Sequence, residues 1–153
     1  MKKIFIIAFC VMLGCVPIAT SQNATNIKQK SRRAITPNAG VADSDQRLAR
    51  AFVKHESDLQ IEGSGMVTRL LADDNNGSRH QRFVIELKTG QTLLIAHNID
   101  LAPRIDSLEV GDEVTFFGEY EWNPKGGAIH WTHHDPNRRH TAGWIKHKGR
   151  KYQ

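Results

Sequence analysis

Cysteine is almost missing from this chain. The 153 residues hold two, Cys10 and Cys15, both within the first fifteen positions. Residues 16–153 therefore have no disulfide framework, no thiol nucleophile and no cysteine-held metal. A packed core has to carry stability there. Long apolar runs are missing too. The stretch from Ile4 to Leu13 falls well short of the roughly twenty residues that cross a bilayer. No repeat and no heptad pattern is present, which excludes solenoids and coiled coils. Acidic charge is nearly absent from the end of the chain: residues 123–153 contain one carboxylate, Asp135, against seven lysines and arginines.

What is present begins with Met1-Lys2-Lys3 ahead of the apolar run. A basic start, about ten apolar residues and the small residues Ala19-Thr20-Ser21 read as a secretory signal over 1–21. The expected location is periplasmic or secreted, with no transmembrane segment after processing. A second reading makes Cys15 a lipid-anchor site, although Met12 and Leu13 suit that processing poorly. Residues 22–42 carry Lys28, Lys30, Arg32 and Arg33, no acid and no periodicity. They read as a disordered basic linker. Residues 43–122 have net charge −7 and residues 123–153 have +6. An acidic body thus meets a basic end, either to pair with it or to offer a basic patch to an anionic partner.

Residues 43–153 read as a single domain. Asp43-Ser44-Asp45 offers helix-capping chemistry, and Leu48, Ala49, Phe52 and Val53 share one helical face, so a helix is expected over 45–56. Five strands follow: Ile61–Leu71, His80–Lys88, Thr92–Ala96, Glu113–Trp122 and Ala128–His133. The turn at Asn76-Gly77 separates the first two. In the fourth, Val114, Phe116, Gly118, Tyr120 and Trp122 alternate with Thr115, Phe117, Glu119 and Glu121. One helical turn fits near Pro103–Leu108. Gly63 and Gly65 let the first strand bend, as closing a small barrel requires. The expected fold is mainly β, a small five-stranded barrel of the oligonucleotide/oligosaccharide-binding (OB-like) type with one N-terminal helix packed on it. An SH3-like roll or an open sandwich is the alternative.

Five of the eight histidines lie between His130 and His147, and all three tryptophans fall between Trp122 and Trp144. Three kinds of chemistry fit. His80, His97, His130, His133 and His134 stand at strand ends, so a barrel rim could gather them. With Asp100 or Asp135 they would suit zinc or another divalent metal. The plainer alternative is that each imidazole braces a loop through backbone carbonyls. A phosphodiesterase would use His130 or His134 as base, Asp100 on the metal, and Arg79, Arg82 and Arg104 on phosphates. A binding module without catalysis would use Arg82, His97, Arg104, Trp131 and Trp144, with Arg138, Arg139, Lys146, Lys148, Arg150 and Lys151 supplying charge for nucleic acid or polysaccharide. Glu119 and Glu121 could act as an acid–base pair, but same-face strand acids are more often a solvated edge. Tyr120 and Trp122 read as core.

Several strings are familiar as a set: Gly77-Ser78-Arg79-His80-Gln81-Arg82-Phe83, His97 to Arg104, Gly118 to Asn123, Gly127 to Pro136, and His140-x-x-Gly143-Trp144-Ile145-x-His147. Over roughly residues 43–153 the chain resembles the bacterial exported family catalogued as domain of unknown function 3465. That resemblance implies no activity and no catalytic residues to carry over. The expectation is therefore an exported small binding module, with its site between the 97–104 loop and the histidine-rich segment. A metal-dependent hydrolase acting on phosphodiesters and a structural accessory protein without a ligand are the alternatives.

Overall fold

The computed structural model describes residues 39–153. The segment expected to be a signal, Cys15 and most of the expected basic linker lie outside the described residues. One helix and seven strands follow in order: α1 (Ala39–Lys54), β1 (Leu59–Leu70), β2 (His80–Glu86), β3 (Thr92–Asn98), β4 (Glu113–Glu121), β5 (Ala128–His130), β6 (Trp144–His147) and β7 (Arg150–Tyr152). No helix among the described residues is long and apolar enough to cross a membrane.

Strands β1 to β5 close into the OB-like barrel. β1 is long enough to serve two partners: Leu59–Met66 pairs antiparallel with β4, and Met66–Leu70 pairs with β2. The change of partner falls where Gly63 and Gly65 sit and where the register slips between Val67 and Arg69. A β-carbon on Gly63 would lie 2.7 Å from the ring of Phe116, so the bend needs glycine for space. β3 pairs antiparallel with β2 and parallel with β5, and β5 pairs antiparallel with β4, which completes the ring. β6 and β7 extend the sheet beyond β4 as a hairpin. They occupy the end of the chain that reads in sequence only as a basic segment.

The inward side chains alternate as the strand patterns require. Ile61, Val67, Phe83, Ile85, Leu93, Ile95, Val114, Phe116, Tyr120, Ile129 and Ile145 form one buried cluster, joined by Ile105 and Leu108 from the β3–β4 connection and Tyr152 from β7. That connection is made of turns and extended segments rather than a helical turn.

The helix packs Leu48 and Ala51 against this core. It starts at Ala39, earlier than the capping residues suggest. Ser44 donates back to the Gly40 carbonyl at 3.0 Å, as a serine inside a helix does. Asp45 is used at long range, accepting the Lys88 amide at 3.1 Å. Burial pushes its carboxyl above the usual range, against the pull of that hydrogen bond and of the Lys88 charge. At the other end His55 takes φ 56°, and Glu56 N bonds Ala51 O at 2.9 Å, a Schellman ending in a residue other than glycine. Trp122 secures that end: its Nε1 donates to Phe52 O at 3.1 Å, and its ring lies 4.2 Å from that of His55.

Candidate functional site

Most of the histidines expected to gather around a ligand are occupied with holding loops. His97, at the end of β3, is fully buried. Its Nε2 lies 3.2 Å from the Pro103 carbonyl and its Nδ1 2.9 Å from Thr132 Oγ1. A carbonyl only accepts, so Nε2 carries the hydrogen and Nδ1 receives the threonine hydroxyl. Burial pulls this imidazole down to about 4, helped by the nearby His133 and His80 and opposed by its own hydrogen bonds. His97 is therefore a neutral pin between two loops. His80 donates from Nδ1 to Ser78 O at 2.7 Å, and His133 from Nδ1 to the next carbonyl, His134 O, at 2.8 Å. His147 donates from Nε2 to Asp112 at 2.8 Å. His134 is exposed.

The arginines and aspartates are committed in the same way. Arg79 binds Asp100 through both its backbone N and its Nε, at 2.7 and 2.6 Å. That pair, with backbone hydrogen bonding leading, keeps the Asp100 carboxyl low. Arg82 donates twice to Ala72 O and lies 3.5 Å from Asp74. Arg104 bridges Asp73 and Asp106. Arg79, Arg82 and Arg104 thus staple the β1–β2 and β3–β4 connections. Asp135 accepts three amides, from Asn137, Arg139 and His140. Those bonds, led by Asn137, hold its carboxyl low and use the lone pairs that a metal would need.

Among the described residues, the group of metal-ligating side chains with donor atoms within 4.8 Å of one another is Asp58, Glu119 and Glu121. None of the five candidate histidines belongs to it. His97 has both ring nitrogens engaged, by the Pro103 carbonyl and the Thr132 hydroxyl, whereas His80 and His133 engage Nδ1 alone.

The histidine that matters most to this surface is His140, which lies in the histidine-rich segment but is not one of the five candidate metal ligands. Asp135 shapes the 135–140 loop so that His140 returns over β4. Its Nε2 donates to Glu119 at 2.6 Å and its Nδ1 to Thr141 O at 2.9 Å. Both partners accept, so the ring is an imidazolium. It stacks on Trp131 at 4.1 Å and 8°. Burial works against the charge, but the Glu119 bond, the Thr141 carbonyl and the charges of Glu119 and Asp135 outweigh it, and the ring titrates above its ordinary range. Gly143 closes this strap so near the carbonyls of Trp131 and Phe117 that no β-carbon fits.

His130 lies beside the strap, opposite Glu119 across β4 and β5. It is half-buried, and burial lowers its pKa despite the nearby Glu121 and Glu119. Its outward neighbours follow from the strand register: Arg82 faces Ala96 on β2 and β3, and Leu94 faces Ala128 on β3 and β5. One row further along, Arg69, Val84 and Leu94 lie in line across β1, β2 and β3. That row forms the floor of a cleft of about 490 Å³, walled by Leu71 and by Asn123–Lys125 of the β4–β5 loop. The lining includes Arg69 and Lys125 and no carboxylate. Nothing in the sequence singles out these two cations, because their role depends on a turn and a strand meeting in space. Of the aromatic candidates, Trp131 is taken by His140, whereas Trp144 is half-buried on β6 under Lys146 and Lys151.

The family described as protein of unknown function DUF3465 matches residues 33–153. No curated protein matches the chain, and no solved structure does. The match covers most of the sequence, so the chain belongs to that family.

Proposed function

From membership of a family without an assigned activity, we propose that this chain is an exported binding module. It takes a segment of anionic polysaccharide in the cleft between the outer face of β1–β3 and the β4–β5 loop. The observation that carries the reading is the composition of that cleft. Its floor is apolar, Arg69 and Lys125 stand at its edges, and no acid lines it. Neither cation has an ion-pair partner among the described residues. Barrels of this architecture bind oligonucleotides and oligosaccharides on the β2–β3 face between the β1–β2 and β4–β5 loops. The residues lining the cleft support the reading independently of that analogy.

A polysaccharide is favoured over single-stranded nucleic acid because the cleft lining contains no aromatic ring. Base stacking on such rings is worth about 1–3 kcal/mol per base to a nucleic-acid site. The export signature over residues 1–21 agrees with a ligand outside the cytoplasm. The same floor continues toward Arg82, Ala96 and His130, so the polymer would run along the histidine-rich segment rather than be held by it. The loop bracing by His80, His97, His133 and Asp135 then serves to hold the walls.

Titration calorimetry with a polyuronate, alongside an oligothymidylate of equal charge, tests this. Arg69→Gln and Lys125→Gln should each weaken polyuronate binding about tenfold, the worth of one charge-assisted hydrogen bond, and leave Tm unchanged. Binding that survives both substitutions, or preference for the oligothymidylate, overturns the reading.

A further inference from the structure

The β6–β7 hairpin holds an arrangement that neither loop bracing nor the cleft explains. Lys148 and Gly149 have φ of 46° and 79°, a two-residue turn of the type that suits a twisted hairpin. In such a hairpin the pair flanking the turn, His147 and Arg150, exchanges both backbone hydrogen bonds. The next pair, Lys146 and Lys151, is the close one, with Cα atoms about 4.5 Å apart. Two ammonium groups directly opposite one another repel.

They also converge. Lys146 Nζ lies 4.5 Å and Lys151 Nζ 5.5 Å from the centre of the Trp144 ring, with Phe117 alongside at 6.2 Å. On β4, Thr115 is the strand partner of Lys146. Among the described residues, neither lysine forms an ion pair. A lysine on an exposed edge strand discourages unwanted strand pairing, which accounts for Lys151 on β7. It does not account for Lys146, since β6 is an interior strand between β4 and β7.

We propose that Lys146, Lys151 and the Thr115 hydroxyl form a site for an oxyanion, a phosphate or sulfate ester. The bound anion neutralises the facing ammonium groups. This site is separate from the Arg69–Lys125 cleft, and either can fail without the other.

The test is thermal unfolding of the full chain with its native sequence, at constant ionic strength, in chloride, inorganic phosphate, sulfate or glucose 6-phosphate. At ligand ten times Kd, linkage should raise Tm by roughly 5 °C over chloride. Lys151→Gln should raise Tm in chloride, because the repulsion is gone, and abolish the increment. Arg69→Gln/Lys125→Gln should keep every increment. The site is refuted if phosphate and chloride give the same Tm, if the increment persists in Lys151→Gln, or if it disappears in the cleft variant.

Discussion

Replacing Glu119 with glutamine removes the acceptor of the His140 imidazolium, and the effect must depend on pH in one direction. The pair is 2.6 Å long, with side chains 19% and 18% exposed. A hydrogen bond to a charged group is worth about 1.5–3 kcal/mol, and partial exposure reduces that to roughly 1–2 kcal/mol. His140 titrates higher in the folded chain than in the unfolded one. Its stabilising contribution is therefore complete below the unfolded imidazole value, near about 6.5, and is lost as pH rises through the folded value. At pH 6 the Glu119→Gln variant should melt about 4–8 °C below the parent; toward pH 9 the two should converge. Removing one of three neighbouring carboxylates, Asp58, Glu119 and Glu121, also relieves repulsion. That gain is constant above pH 6, so the informative quantity is the slope of the difference. Circular dichroism melts in half-unit steps measure it. Trp131 emission provides a second readout, since losing the charged ring stacked on it should brighten the indole over the same interval. A Tm difference that is flat or widens with pH refutes the strap as described.

Two further outcomes follow from the same geometry. His97 is neutral, with its pKa pulled to about 4, so unfolding becomes easier as pH falls from about 6.5 toward 4, by about 3 kcal/mol in all. His97→Gln should flatten that acid limb in denaturant titrations, and an unchanged limb contradicts the assignment. Gly143→Ala should cost more than about 2 kcal/mol, because the added methyl meets two backbone carbonyls; a neutral result in chemical denaturation would mean that the strap does not pass there.

The barrel was legible because its signals are local. Phe116 and Tyr120 alternate with Phe117 and Glu119 on β4, and Gly63 and Gly65 mark the bend in β1. Features set by distant contacts were not legible. Asp45 has the composition of a helix cap, but its carboxylate answers Lys88 across 43 residues. β6 and β7 are only four and three residues long, with lysines on their outer face, so their charge hides their alternation. The roles of the individual histidines were not legible for another reason. An imidazole that donates to a carbonyl and one that waits for a metal are the same letter, and only the atom facing each nitrogen separates them. His140 was visible in the string His140-x-x-Gly143-Trp144, but its partner Glu119 lies 21 residues away on β4, and nothing local joins them.

The binding reading is tested most directly by amide chemical shifts recorded while polyuronate is added to the isotopically labelled domain. The account predicts shifts concentrated at Arg69, Leu71, Val84, Leu94 and Lys125, fading as salt rises. Shifts confined to His134 and Asn137–Arg139, with the cleft residues silent, would contradict it.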